Sequence, residues 1–314
     1  MFAEENGGRA GSRLRRNMGR TIGVTRGERL AAGLVEGGEL IGELRVHKED
    51  PREEPLFSTP AVGIAQVFAE EIREVAAGQT VDAIGVGIPG IINCGFVEES
   101  PNLRQLKGVH MQELLGEALR KFGITAPVYV YNDADVLAAG LASTHGNLDK
   151  FIRVWTLGYG IGFGVYPERD GIWEGGHVVV SLDPRERYCG CGGVGHLEGI
   201  VGHRAMRLRF LDMEPDEVFE NAQRQDQRCA EFVKLWHRAL AAATANSIHL
   251  AGPGKFFISG FNAKHLEINL LHQYLHEMVK MSPLQSYVFE VVPHSEENGV
   301  IGAAVSAAQS ITAA

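Results

Sequence analysis

The chain has 314 residues, 45% of them hydrophobic and 22% charged, with a formal net charge of -9. That length exceeds the size at which one hydrophobic core keeps growing, so two α/β lobes are expected, and the acidic balance excludes the basic face that a nucleic-acid partner would need. No apolar run is long enough to span a bilayer, and the first residues lack the apolar segment of a secretory signal. The expectation is a cytoplasmic protein with no membrane partner.

The first 20 residues run against the overall charge, with Arg9, Arg13, Arg15, Arg16 and Arg20 set among glycines. They read as a flexible N-terminal extension, a nucleic-acid arm being the other reading of the same composition. Thr21–Val24, Leu30–Val35 and Leu40–Val46 are short apolar runs separated by charged, glycine-containing turns, which predicts an antiparallel meander. Residues 47–60 are charged and contain proline, as a surface loop does. The spacing of Val62, Ile64, Val67, Phe68, Ile72 and Val75 predicts a helix over 62–77. The unbroken apolar run Val81–Ile88, closing on Pro89-Gly90, predicts a buried parallel strand. A second helix is expected over 111–122, a second buried strand over 128–131 and a further helix over 134–143. Asn132 and Asp133 therefore fall at the carboxyl end of a strand, where open α/β sheets bind ligands.

Residues 151–157 and 161–166 repeat the opening hairpin pattern around a glycine turn, as a second, related lobe would. Beyond them, helices are expected over 199–210, 215–221 and 224–250, a strand over 255–259, a helix after Asn262, a strand over 287–291 and a closing helix of small residues from Asn298. Four cysteines do not make a disulfide framework; Cys189 and Cys191, with one residue between them, point to metal in a reducing compartment.

Six segments then stand in a telling order: Val86-Gly87-Ile88-Pro89-Gly90, Ser100-Pro101-Asn102-Leu103, Asn132-Asp133-Ala134, the glycine turn Gly158–Gly164, Glu174-Gly175-Gly176-His177, and the stretch Cys189–Glu198. Together they resemble the ROK sugar-kinase family, from about Thr21 to the end of the chain. The resemblance implies a two-lobed, actin-like (ribonuclease H-like) α/β fold. Its smaller lobe would take residues 21–113 and a C-terminal helix over 298–312, and its larger lobe residues 114–297 with a zinc-binding loop. It also implies a homodimer, a small-molecule sugar substrate, and ATP with Mg²⁺.

Asp133 has two readings by position. Asn and Asp are favoured helix caps, and a sugar kinase needs a carboxylate that accepts the proton of the attacking hydroxyl. The resemblance assigns the second role, because the family's catalytic base matches Asp133. It likewise implies that Asn102, Asn132, Glu174, His177 and Glu198 hydrogen-bond the sugar; taken alone, Asn102 reads as a turn residue and Glu174 as a solvated carboxylate. Zinc would be held by His177, Cys189, Cys191 and His196, a closed thiolate and imidazole set that suits a structural site, against the alternative of a metal-free glycine loop. The family carries a third cysteine where this chain has His196, which changes the centre from one formal negative charge to neutral. A zinc-bound histidine keeps its other ring N–H oriented, so His177 is expected to hold a sugar hydroxyl as well.

Gly158, Gly160, Gly162 and Gly260 are expected to bind nucleotide, and this half departs from the family. Where ROK kinases open with Asp-x-Gly-Gly-Thr, the chain reads Gly23–Arg29 without an aspartate. Arg26 or Arg29 can neutralise phosphate and Glu28 can help hold magnesium, or the segment is an ordinary charged hairpin. Tyr159 replaces a threonine, and Ser259-Gly260-Phe261 replaces a double glycine that lets adenosine approach the backbone. The expected function is ATP-dependent phosphorylation of a hexose or N-acetylhexosamine at its 6-hydroxyl. The alternative is a catalytically weak or inactive sugar-binding relative. A sugar-responsive repressor would need a helix-turn-helix domain ahead of Thr21, which some 20 residues cannot hold.

Overall fold

The computed structural model describes residues 19–27, 29–47, 58–167, 171 and 174–313; Arg9, Arg13, Arg15, Arg16, Glu28 and most of the expected surface loop lie outside them. The chain forms two compact units, one of residues up to Ile152, 164–172 and Ser295 onward, the other of 153–163 and 173–294.

In the first unit, Arg20–Arg26 (β1), Leu30–Glu36 (β2) and Glu39–Val46 (β3) make the antiparallel meander, and Ala83–Ile88 (β4) pairs with β1 in parallel. Arg20 opens β1 instead of closing an extension: its N–H donates to Asp82 Oδ2 at 2.8 Å, and its guanidinium reaches Gln79 at 2.9 Å. Ile91–Asn93 (β5), Phe96–Glu99 (β6) and Val109–His110 (β7) form a small antiparallel sheet that the apolar pattern did not reveal, because strands this short hold too few alternations. Its first turn is a two-residue loop with φ of 48° at Cys94 and 78° at Gly95, the left-handed pair that matches hairpin twist.

Val128–Asn132 (β8) then returns beside β4, giving the order β3-β2-β1-β4-β8. Residues 114–152 thus lie in the first unit, whereas the ROK resemblance implied a boundary after residue 113. The reason is the continuous ladder from Ile84 opposite Val128 to Ile88 opposite Asn132.

Strand alternation decides what covers each face of this sheet. Ile22, Val24, Ile84 and Val86 share one buried cluster with Ile64, Phe68 and Ile72 of helix Ala61–Ala76 (α1) and with Leu115 and Leu119 of Met111–Arg120 (α2). The opposite face meets the closing helix Glu296–Ala313, which also packs on Asp133–Thr144 (α3). There the strands offer glycine, and backbone lies on backbone. A Cβ at Gly85 would sit 1.9 Å from the Ala303 carbonyl oxygen, and one at Gly23 would sit 1.8 Å from that of Val300. Gly85→Ala is therefore expected to destabilise by about 1–3 kcal/mol or more, as overpacking does. A urea midpoint equal to that of the unaltered protein would refute this packing.

The second sheet runs β10-β9-β11-β12, from Ile152–Leu157 (β9), Ile161–Tyr166 (β10), Lys255–Ser259 (β11) and Val288–Val291 (β12), with β11 and β12 parallel. The second unit's helices are Glu198–Val201 (α4), His203–Arg209 (α5), Pro215–Gln223 (α6), Gln227–Ala251 (α7) and Ile268–Met278 (α8). Its core joins Trp155, Leu157, Ile200, Val201, Trp236, Phe256 and Ile258. The single helix expected over 199–210 is broken at Gly202, whose ψ of 142° is extended. The break frees the N–H groups of His203 and Arg204 to bond the Gly158 and Tyr159 carbonyls at 3.1 and 3.2 Å. The helix expected after Asn262 is α8, preceded by a 3₁₀ turn over Phe261–His265. Among the described residues, no helix is long and apolar enough to cross a membrane.

Candidate functional site

In the first unit, Asn132 ends β8 and caps α3. Its Oδ1 accepts the N–H groups of Ala134 at 2.8 Å and Asp135 at 3.3 Å, and its Nδ2 donates to the Gly90 carbonyl at 2.8 Å. An amide so engaged retains one N–H for a ligand. Asn132 is thus the principal cap; Asp133, half-buried, is the first helical residue, and its Oδ1 lies 3.0 Å from the Ala134 nitrogen. Ser100 donates its hydroxyl to the Pro89 carbonyl at 2.7 Å, so Pro89-Gly90 ties the segment carrying exposed Asn102 to the same strand end as Asn132.

In the second unit, the four expected metal ligands converge. One donor atom from each of His177, Cys189, Cys191 and His196 lies within 4.8 Å of all the others. The sulfurs are 3.4 Å apart, the two Nδ1 atoms 3.4 Å apart, Cys189 Sγ is 3.5 Å from His177 Nδ1, and Cys191 Sγ is 3.3 Å from His196 Nδ1. A tetrahedron with Zn–N and Zn–S bonds of the usual length has edges of about 3.4–3.8 Å, so the donor set fits zinc. Burial pushes the Cys189 thiol up to about 12, against the opposing pull of a backbone hydrogen bond from Cys191 and with the Cys191 side chain and Glu198 adding to the rise; a cation at the cluster must therefore displace its proton. Burial also lowers His196, favouring the neutral ring that a metal binds.

The other nitrogen of His177, Nε2, lies 3.8 Å from Glu174 Oε2, a long contact of the kind that orients a ligating imidazole. Desolvation raises the Glu174 carboxyl; His177 opposes that rise and the charge of Glu198 adds to it. Glu198, at the start of α4, stands 3.5 Å from Cys189 Sγ through Oε1 and accepts the Ile161 N–H through Oε2 at 3.1 Å. Glu174, His177 and Glu198 thus form one polar cluster with the expected metal ligands.

The glycine turn between β9 and β10 is held from several sides. The Gly158 N–H bonds the Gly160 carbonyl at 3.1 Å, the Gly162 N–H bonds Thr156 Oγ1 at 3.1 Å, and the Asn262 amide donates to the Gly158 carbonyl at 3.3 Å. Asn262 is fully buried, and sequence reasoning passed over it; its one signal was an amide placed just after Gly260-Phe261 at a strand end. Gly260 has φ of 96°, and a Cβ there would fall 2.5 Å from the Leu157 carbonyl oxygen.

The ROK family pattern matches residues 31–310 of this chain. The chain belongs to the ROK family. A glucokinase of Thermotoga maritima is 32% identical over 273 residues, covering 76% of this chain and 82% of that protein. A glucokinase of Pyrobaculum calidifontis is 32% identical over 205 residues, 60% of this chain and 66% of that protein, just under two thirds of its length. The crystal structure of a ROK hexokinase from Thermus thermophilus superposes with a TM-score of 0.76 at 23% identity, covering 94% of this chain and 100% of the other. The chain has the actin-like α/β fold of ROK sugar kinases.

Several residues expected to meet nucleotide are engaged elsewhere in the protein. Arg29, one of the candidates for phosphate, is paired with Glu296 of the closing helix at 2.7 Å, and Arg26 donates to the neighbouring Gly27 carbonyl. Glu28, the candidate for magnesium, lies outside the described residues. Tyr159 is 69% exposed and stands edge-on to His203 and Phe261, with ring centroids 5.6 and 5.2 Å away, so a small hydroxyl of the ROK turn is replaced by one member of an aromatic trio.

Proposed function

We propose that this ROK protein is an ATP-dependent sugar kinase that phosphorylates a hexose or an N-acetylhexosamine at the 6-hydroxyl, with Asp133 as general base. The observation that carries the proposal is the division of labour at the end of β8. Asn132 serves as the principal cap of α3, so the neighbouring carboxylate is not required for that duty. As the sugar hydroxyl attacks the γ-phosphorus, its proton passes to an Asp133 carboxylate oxygen, the bond from that phosphorus to the β,γ-bridging oxygen breaks, and ADP leaves. Phosphoryl transfer needs little else from the protein beyond positioning and charge stabilisation. The similarity to two glucokinases supports a hexose as the first sugar to test.

Sugar hydroxyls would be recognised by Asn102, by the remaining N–H of Asn132, by Glu174 and Glu198 as acceptors, and by His177 through Nε2. His177, Cys189, Cys191 and His196 would hold zinc, which supplies a rigid, neutral brace and no redox chemistry. The turn at Gly158, Gly160 and Gly162, with Gly260, would take the nucleotide, and Mg²⁺ would accompany the phosphates. A coupled assay of ADP release over a panel of hexoses with Mg²⁺ tests the reading. Release with no sugar in the panel would refute it.

A second reading, a sugar-binding relative of low catalytic power, is favoured by the Arg29–Glu296 pair and by the absence of an aspartate in Gly23–Arg29. Losing one group aimed at developing charge typically costs about 10²–10³ in rate. Calorimetry is expected to find hexose or hexosamine binding without nucleotide and weak binding of Mg-ATP. Tight Mg-ATP binding with brisk turnover would dismiss this second reading.

A further inference from the structure

Helix α4 touches the metal-ligand cluster at one end and the glycine turn along its side. At the cluster, the His196 carbonyl accepts the Gly199 N–H at 3.0 Å, so the helix grows directly out of a ligand residue. Gly199 lies so near the Cys189 backbone that a Cβ would stand 2.9 Å from its nitrogen. Along the turn, Ile161 donates its N–H to Glu198 Oε2 at 3.1 Å, and the N–H groups of His203 and Arg204 reach the Gly158 and Tyr159 carbonyls. Beneath the helix, Ile200 and Val201 are fully buried and Trp236 Nε1 donates to the Val201 carbonyl at 3.2 Å. A helix of one turn, fixed below and bonded on both flanks, has little slack with which to absorb a shift at either end.

We propose that metal occupancy of His177, Cys189, Cys191 and His196 sets the order of the Gly158–Gly162 turn, with Glu198 as the positioning residue that joins them. Four bonds to one cation fix Cys189, Cys191 and His196 relative to one another. Without the cation, the segment between them, with glycine at 190, 192, 193 and 195, is held by backbone hydrogen bonds such as Gly192 N–H to the Cys189 carbonyl at 3.1 Å and Gly195 N–H to that of Glu186 at 2.8 Å, and its glycines give it more freedom than a segment bonded to a metal. That freedom is transmitted through His196 to the Glu198 carboxylate two residues on. The link to Ile161 is a single hydrogen bond, so a small displacement of Glu198 removes it. The linkage stands on geometry within the second unit; its use, making nucleotide binding conditional on the metal, rests on the kinase reading.

Amide hydrogen exchange of a peptide covering 157–163 tests the linkage in the full-length protein, with zinc content measured for each sample. Chelation is expected to speed exchange in this peptide by about tenfold, the scale of one lost hydrogen bond. Zinc-loaded Glu198→Ala is expected to exchange as fast as the chelated protein, and chelating that variant should add less than about twofold, as for two changes acting through one link. Glu198→Gln keeps an oxygen for the Ile161 N–H and is expected to stay slow while loaded. Unchanged exchange after verified zinc loss, zinc-loaded Glu198→Ala that matches the unaltered protein, or effects of chelation and Glu198→Ala that simply add, would overturn the proposal. Calorimetry with Mg-AMPPNP separates the two ideas. A metal-dependent turn that binds no nucleotide upholds the linkage and refutes the kinase reading.

Discussion

Asp133→Asn is expected to lower kcat by about 10²–10⁴-fold, the usual contribution of a general base, while sugar binding measured by calorimetry stays within about threefold. The substitution is nearly isosteric, and Asn132 keeps its bonds to the Ala134 and Asp135 N–H groups, so α3 loses none of its principal capping. What disappears is the charge proposed to take the hydroxyl proton. Asn132→Ala separates the roles in the opposite sense. It removes the cap and the bond to the Gly90 carbonyl, which costs stability of roughly 0.5–2 kcal/mol for the cap alone and moves Asp133 with its helix. Near-normal turnover in Asp133→Asn would assign the base to another residue.

Stripping metal is expected to lower the melting temperature by about 10 °C, the shift produced by losing a ligand held at a thousandfold excess over its dissociation constant in a domain of this size. Elemental analysis should find one zinc per chain. His196→Ala should lose it, whereas His196→Cys, which restores the thiolate of the ROK pattern, should retain it. Because the Cys189 thiol without metal sits near 12, zinc uptake releases protons and the affinity falls as the pH is lowered. A protein that purifies with no zinc and melts at the same temperature with and without chelator would end the metal assignment.

Much of this was legible in the chain because the signals were local and redundant. The strand at Lys255–Ser259 and the start of the helix at Pro215 have the expected bounds, since an apolar run between glycines and a proline at a helix start each carry their own punctuation. The convergence of His177, Cys189, Cys191 and His196 was foreshadowed by the Cys189 and Cys191 spacing together with the ROK resemblance. The failures share a different cause. The break at Gly202 depends on carbonyls of Gly158 and Tyr159 some forty residues earlier, and no window of sequence around Gly202 contains them. The boundary after residue 113 came from the ROK resemblance and not from any local pattern; the ladder between β4 and β8 shows which sheet residues 128–132 complete. Arg29 left two readings open, a phosphate ligand or part of an ordinary charged hairpin, because its partner, Glu296, lies at the far end of the chain.

The closing helix has a bearing on how the chain reaches its native state. Val300, Ala303 and Ala304 are completely buried against a sheet whose first strand, β1, lies far earlier in the chain. Contacts of such long sequence separation form late, because the intervening chain must first be organised before closing the loop is rewarded. The second unit is nearly continuous over 173–294, so it can fold while synthesis proceeds. The meander and β4 must wait, with the glycine-bearing face of their sheet uncovered, until residues 296–313 emerge. During that interval the nascent first unit is the part of the molecule most exposed to mispairing and to chaperones, and a chain ending before Glu296 would remain there.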